Sequence, residues 1–137
     1  MSATPNTVRC VLGMLGTDVH SKGIRTIARM LDEAGGIDVT YLGEHNSVEG
    51  MAEAVAQQQA QIVGISFSSA AYVEYTRLLI EAMKKRGVGH VPLMLGGMIH
   101  PDDVEELKEM GVAGLFGAGS TTEEIIAFVQ AAGVSKI

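Results

Sequence analysis

Hydrophobic and polar positions follow two alternating periodicities along this chain. Short apolar runs, typical of strands buried in a parallel sheet, are each followed by a segment whose apolar residues recur three and four positions apart, as in a helix with one buried face. The alternation repeats five times within the 137 residues. We therefore predict an α/β fold that is flavodoxin-like, with a doubly wound five-stranded parallel sheet of strand order 2-1-3-4-5.

The same pattern sets the expected bounds of the elements. Strands are predicted at 8–15, 38–42, 61–66 and 91–95 and in the short "GLF" run, and helices at 23–34, 46–59, 71–86, from Pro101 onward and in the last segment. Asn46 and Glu49 have the spacing of a capping box for the second helix. The final helix is expected to be capped by Ser120 or Thr121, each of which has a Glu three residues later.

Composition narrows the class of protein. Hydrophobic residues make up 47% and charged residues 19%, which indicates one globular domain over 1–137 with a core at about 8–130. The net charge of −6, without a basic run, argues against nucleic acid and anionic membranes as partners. Because no signal peptide or membrane-spanning run is evident, we expect a soluble, cytoplasmic protein. Cys10 lies in an apolar run and is interpreted as a small buried hydrophobe.

The predicted strand order also predicts where a ligand binds. Doubly wound sheets hold ligands beyond the carboxyl ends of their strands, at the switch between the first and third strands. That rule selects the loops at 16–22, 66–70 and 96–100, with 116–120 beside them.

The chain lacks the residues that several other functions of this fold require. A phosphoryl receiver needs a carboxylate at the end of the third strand, where this chain has Ser66, and a Lys after the fifth strand, which is absent. The first loop lacks the Gly-Lys-Ser/Thr of a Walker A motif and the G-x-G-x-x-G of a dinucleotide site. It also lacks the hydroxyl-rich run that wraps a flavin phosphate.

The first loop does contain Asp18-x-His20, which permits two interpretations. A metal-binding histidine usually donates its second ring N–H to a carboxylate, and Asp18 could accept it. Alternatively, Asp18 caps the first helix and His20 is a solvated loop residue. His45, His90 and His100 do not complete a metal site made of protein ligands alone, so a metal here would arrive within a macrocycle.

The other loops at this edge consist of small residues that leave room for a large, flat ligand. Ser66 and Ser68 follow the third strand, Gly96-Gly97 the fourth, and 117–120 (Gly-Ala-Gly-Ser) the fifth. Each stretch alone could be only a tight turn. Together they border one crevice, where glycine permits a ligand to approach the backbone.

These motifs, in this order, resemble the cobalamin-binding domain of adenosylcobalamin-dependent carbon-skeleton mutases and methionine synthase. The resemblance runs from about Val8 to Val129 and rests on D-x-H-x-x-G, a Ser-x-x stretch and Gly-Gly. It implies cobalamin with its benzimidazole displaced from cobalt, His20 as the lower axial ligand and Asp18 hydrogen-bonded to His20. The implied cofactor-binding residues are Thr17, Asp18, His20, Ser21, Lys22, Gly23, Ser66, Ser68, Gly96, Gly97, Gly117, Gly119 and Ser120.

The chain departs from the family pattern at two places. The family commonly has Ser-x-Leu after the third strand, whereas this chain has Ser66-Phe67-Ser68. Many acyl-CoA mutases have a histidine where this chain has Tyr72. We expect these departures to affect packing on the nucleotide tail and the substrate side.

The resemblance is closest to the small subunits of acyl-CoA mutases of the methylmalonyl, isobutyryl and 2-hydroxyisobutyryl type. Such a subunit presents cobalamin to a separate, larger barrel subunit for radical carbon-skeleton isomerisation, and is inactive alone. Only seven residues precede the first strand, so we do not expect the helical cap of methyl-carrying corrinoid proteins. The alternatives are the small subunit of glutamate mutase, a non-catalytic cobalamin carrier or sensor, and a flavodoxin-like protein that binds no corrin.

Overall fold

Five parallel strands form one sheet in the order β2-β1-β3-β4-β5, as predicted. The computed structural model describes residues 8–15, 22–43, 46–67, 72–97, 99–117 and 120–134. The strands are β1 (Val8–Gly13), β2 (Ile37–Tyr41), β3 (Ile62–Phe67), β4 (Leu93–Gly97) and β5 (Gly114–Phe116). The helices are α1 (Lys22–Ala34), α2 (Val48–Gln57), α3 (Tyr72–Lys85), α4 (Val104–Met110) and α5 (Thr122–Val134), and a 3-10 turn at Pro101–Asp103 leads into α4.

Helices cover both faces of the sheet, which confirms the doubly wound arrangement. On one face, Leu12 and Met94 of the strands pack with Ile24 and Leu31 of α1 and with Val129 of α5. The opposite face packs on α2, α3 and α4 through a second buried cluster that includes Val63, Ile65, Leu79, Met83 and Leu107. Because strand side chains alternate between faces, neighbouring residues of one strand belong to different clusters.

Strands β3 and β4 extend further toward the carboxyl edge than the apolar runs predict. Ser66 pairs with Gly96, and Phe67 pairs with Gly97. The glycine pair expected in a loop therefore lies within β4, which also begins at Leu93 and not at Val91. Ladder pairing with the neighbouring strand extends β4 through residues whose own β-propensity is poor.

The helix caps partly follow the sequence. Thr121 and Glu124 form the predicted capping box, with reciprocal hydrogen bonds of 2.7 and 3.1 Å between backbone N–H and side-chain oxygen. The predicted box of Asn46 and Glu49 is wrong, because Ser47 is the N-cap of α2 and its Oγ accepts the Gly50 N–H at 2.9 Å. The Asn46 amide is instead engaged with the carbonyl oxygens of Met14 and Gly43.

Cys10 is buried in β1 with 1% of its surface exposed, as its apolar surroundings predict. Burial raises the pKa of its thiol from 9.0 to about 12, so the group stays a neutral thiol at physiological pH. None of the described helices has the length and apolarity needed to cross a membrane.

Candidate functional site

A cavity of about 260 Å³ opens at the carboxyl edge of the sheet, on the face covered by α1 and α5. It spans the region between β1 and β5, which includes the switch point where the sequence predicts a ligand. Its lining comprises Leu12, Ile24, Ile27, Gly64, Ile65, Ser66, Met94, Leu95, Gly96, Gly97, Phe116, Gly117, Ser120 and Ile125. Five of these, Ser66, Gly96, Gly97, Gly117 and Ser120, are predicted site residues that the structure brings together.

The floor of the cavity is formed by a row of residues across the sheet. Leu12 pairs with Gly64, and Gly64 pairs with Met94. A Cβ atom at Gly64 would lie 2.7 Å from Leu12 Cδ2 and 2.8 Å from Met94 Cε, so these two side chains close over the glycine. A side chain at this position would displace them, and the floor therefore depends on Gly64.

The next row toward the carboxyl edge is Ser66, Gly96 and Phe116, paired in that order across three strands. The half-buried Ser66 places a hydroxyl among apolar neighbours, and this hydroxyl makes no hydrogen bond to another residue within the described part of the chain. The Ser66 hydroxyl is therefore able to donate to, or accept from, a ligand in the cavity.

The glycines that line the cavity differ in whether the surrounding structure would tolerate a side chain. A Cβ at Gly96 would make only an ordinary contact of 3.4 Å with the Phe116 carbonyl oxygen, and a Cβ at Gly117 would meet no atom within 4 Å. Gly97 instead has a φ of +105°, and a Cβ there would lie 2.0 Å from the Phe67 carbonyl oxygen. Gly97 borders the cavity, but backbone packing already requires it to be glycine.

The remaining predicted site residues fall at or outside the described ranges. Lys22 and Gly23 form the start of α1, the helix whose Ile24 and Ile27 line the cavity. Thr17, Asp18, His20, Ser21, Ser68 and Gly119 lie outside the described residues. The assignment of His20 as an axial ligand therefore stays a prediction. The described residues contain no group of three or more His, Cys, Asp or Glu able to hold a metal ion.

The other histidines lie as follows. His90 is exposed in the turn before β4, at the opposite edge of the sheet from the cavity. His100 caps the 3-10 turn, with its Nδ1 accepting the Asp102 N–H at 3.1 Å. His45 lies outside the described residues.

Sequence reasoning missed the apolar part of the lining. From the sequence alone, nothing distinguishes the strand residues Leu12, Met94 and Phe116 from ordinary core residues. The same is true of Ile24 in α1 and Ile125 in α5, although all five line the cavity. The alternation of side chains along a strand could have indicated this lining. It places Gly64, Ser66, Met94 and Gly96 on one face of the sheet. Small and large residues interleaved on one face indicate a recess in the packing.

Sequence reasoning also missed what Tyr72 does. It is 4% exposed, and its hydroxyl accepts the His100 N–H at 2.8 Å and donates to the Asp103 carboxylate. Burial, followed by the hydrogen bond to Asp103, raises the pKa of Tyr72 above its ordinary value of 10.0. The hydroxyl is therefore a proton donor throughout the physiological range.

Comparison with known proteins identifies the family. The sequence matches the B12 binding domain over residues 8–127. It is 29% identical over 126 residues to the pivalyl-CoA mutase small subunit of Xanthobacter autotrophicus, covering 92% of this chain and 84% of that one. It is 29% identical over 112 residues to the 2-hydroxyisobutanoyl-CoA mutase small subunit of Aquincola tertiaricarbonis, covering 82% and 80%.

A solved structure shows the same fold. The crystal structure of a cobalamin-binding protein from Desulfitobacterium hafniense superposes with a TM-score of 0.77 at 21% identity, covering 91% of this chain and 58% of that one. The family match extends over nearly all of the sheet and helices described above, including every described residue of the cavity. The chain therefore belongs to the B12-binding domain family and is homologous to the small subunits of acyl-CoA mutases.

Proposed function

We propose that this chain is the cobalamin-binding small subunit of an adenosylcobalamin-dependent acyl-CoA mutase, which presents base-off cobalamin ligated by His20 to a separate catalytic subunit. The observation that carries the proposal is the apolar cavity at the carboxyl edge, with the Ser66 hydroxyl on its wall. The family match supports cobalamin as the ligand.

The cavity fits the displaced benzimidazole of cobalamin. Apolar cavities of about 150 Å³ hold benzene, so a space of about 260 Å³ is suitable for a two-ring base. Aliphatic side chains of α1 and α5 flank this space, and Ser66 offers a hydroxyl to a ring nitrogen. A flat apolar group with one polar edge matches this lining.

In this proposal each residue has a limited task. His20 would supply the ligand to cobalt, Asp18 would accept the second imidazole N–H, and Gly23 would let α1 begin close to the nucleotide tail. Gly96 and Gly117 leave room for the tail at the rim of the cavity. Adenosylcobalamin, when bound, supplies the radical chemistry of isomerisation, whereas this chain binds and orients it.

The relatives support an acyl-CoA substrate in preference to glutamate. The chain spans 84% and 80% of two proteins named as small subunits of pivalyl-CoA and 2-hydroxyisobutanoyl-CoA mutases. Their names support a larger partner, which we propose is a barrel subunit that binds the substrate and covers the upper corrin face. Because coenzyme A esters are highly charged and do not cross membranes, we propose that the complex acts in the cytoplasm.

Three experiments test the proposal in turn. Visible absorbance during titration with adenosylcobalamin should show saturable binding with a histidine-ligated, base-off spectrum; lack of binding contradicts the whole proposal. The chain should next be purified gently from its host and the co-purifying large subunit identified. Isomerisation of an acyl-CoA should require both chains and the cofactor. If cobalamin binds but no large subunit restores activity, a carrier or sensor function replaces the mutase.

A further inference from the structure

Tyr72 connects the start of α3 to two other parts of the carboxyl edge. It is the first residue of α3, on the face of the sheet opposite the cavity, and its ring packs on Phe67 at the end of β3 with a centroid distance of 6.1 Å. Its hydroxyl accepts the His100 N–H at 2.8 Å and donates to the Asp103 carboxylate. One side chain thus contacts the end of β3 and the connection that leads from β4 to α4.

That connection is continuous with the rim of the cavity. Gly97, which borders the cavity, accepts the Ile99 N–H through its carbonyl oxygen at 3.2 Å. Farther along, the Asp103 N–H donates to the His100 carbonyl oxygen at 3.0 Å. Within the described residues, Tyr72 is the one side chain of another element that hydrogen-bonds to this connection.

The contact surface between β3 and β4 is also tight at this point. Gly97 lies against the backbone of Phe67, and Phe67 is itself 1% exposed beneath the Tyr72 ring. Because β4 packs tightly against β3 at this point, a displacement of the connection around His100 would also displace Gly97. The adjoining residue, Gly96, forms part of the cavity wall.

We infer that Tyr72 is a positioning residue for the cavity at the carboxyl edge, called the tail cavity below because the proposed function places the nucleotide tail of cobalamin there. Tyr72 maintains the shape of this cavity from the other face of the sheet, through its hydrogen bonds to His100 and Asp103. The inference rests on the proposed function, because it assigns the effect of Tyr72 to the nucleotide tail of cobalamin. Tyr72 itself does not line the cavity, so its influence on a ligand there passes through the rim at Gly97.

The test compares Tyr72→Phe with Tyr75→Phe. Tyr75 lies on the same helix and stacks on the same Phe67 ring at 6.5 Å, but among the described residues its hydroxyl has no hydrogen-bond partner, which makes it a matched control. Affinities are measured by visible absorbance for cobalamin and for cobinamide, which lacks the nucleotide. We expect Tyr72→Phe to reduce the preference for cobalamin over cobinamide roughly tenfold, and Tyr75→Phe to leave it unchanged.

Hydrogen exchange of the unliganded protein supplies a readout that is independent of the cofactor. The His100 amide should exchange faster in Tyr72→Phe than in the wild type or in Tyr75→Phe. If Tyr72→Phe does not fold, Asp103→Asn and Asp103→Ala replace it. Asn retains an oxygen that accepts the Tyr72 hydroxyl, so its effect on the ligand preference should be the smaller one.

The outcomes separate the two claims. If the wild type binds cobalamin no better than cobinamide, the tail cavity of the proposed function is contradicted, whatever the exchange data show. If the wild type prefers cobalamin and Tyr72→Phe keeps that preference while the His100 amide exchanges faster, Tyr72 only stabilises the fold and the inference alone is overturned. A loss of preference in Tyr72→Phe, with Tyr75→Phe unaffected, supports it.

Discussion

Gly97 and Phe67 approach so closely that a Cβ atom on Gly97 would lie 2.0 Å from the Phe67 carbonyl oxygen. The two residues are paired at the carboxyl ends of β4 and β3, and Gly97 adopts a φ of +105°, where side chains are strained. This approach joins the neighbouring strands β3 and β4 beside the cavity. The packing of β4 against β3 therefore requires glycine at position 97, and only the backbone of Gly97 is available to a ligand.

Replacing Gly97 by Ala should destabilise the protein, because the new methyl group would overlap the Phe67 backbone. We expect the free energy of unfolding to fall by about 3 kcal/mol or more, measured by urea denaturation. Gly117→Ala is the control, since a Cβ there meets open space without a positive φ, and its stability should stay within about 0.5 kcal/mol of the wild type. Equal stability of both variants would contradict the assigned role of Gly97.

Gly96→Val is the sharper probe of the cavity. A Cβ at Gly96 makes only an ordinary contact with Phe116, so the valine methyl groups should occupy cavity space without breaking the sheet. We expect cobalamin binding to weaken at least about tenfold, while cobinamide binding changes little, because only cobalamin has a base to place there. Absorbance titrations with both ligands and a thermal melt are needed. A parallel loss for both ligands would indicate misfolding and not a blocked cavity.

The predicted axial ligand is tested by His20→Ala and Asp18→Asn. His20→Ala should abolish the histidine-ligated spectrum and lower cobalamin affinity strongly, while the thermal melt stays unchanged. Asp18→Asn keeps the shape but weakens the acceptor for the imidazole N–H, so affinity should fall roughly 10–100-fold. If Asp18→Asn binds like the wild type, Asp18 is only a helix cap. An unaltered spectrum in His20→Ala would remove His20 as the ligand.

Thr76→Val should stabilise the protein. Thr76 is fully buried in α3, and its Oγ1 has no hydrogen-bond partner among the described residues. An unpaired buried hydroxyl is costly, so valine of similar shape should raise the free energy of unfolding by about 1 kcal/mol in urea denaturation. Thr76→Ser keeps the hydroxyl and loses a methyl group, so it should be less stable than the wild type. A destabilised valine variant would show that the hydroxyl has a partner in solution.

Cys10 should make the protein less stable in alkaline solution. Its pKa is raised to about 12 in the fold, so above pH 9 the unfolded thiol loses its proton first and stability falls as the pH rises toward 12. Three pH units correspond to a loss of about 4 kcal/mol. Cys10→Ala should show a shallower decline of unfolding free energy between pH 9 and 12. Identical slopes for the two proteins would contradict the raised pKa.

The sequence by itself determined the features that short-range patterns encode or that a general rule for this fold class supplies. The alternation of apolar runs with helical patterns was sufficient for the fold class and strand order, and the strand order predicted a ligand site at the carboxyl edge, where the structure has a cavity. The Thr121 capping box and the burial of Cys10 also followed from short stretches. Such patterns can be read locally because periodicity and capping involve residues within one or two turns of each other.

Only the tertiary structure decided the features that require two distant segments. The strand position of Gly96 and Gly97, the floor at Gly64 and the contacts of Tyr72 depend on the register between neighbouring strands and on what packs through the sheet. Tyr72 and Asp103 are 31 residues apart, and nothing in either segment alone marks them as partners. The physical reason is that side-chain alternation assigns a residue to a face, whereas the partner it meets is set by the pairing of other strands and helices.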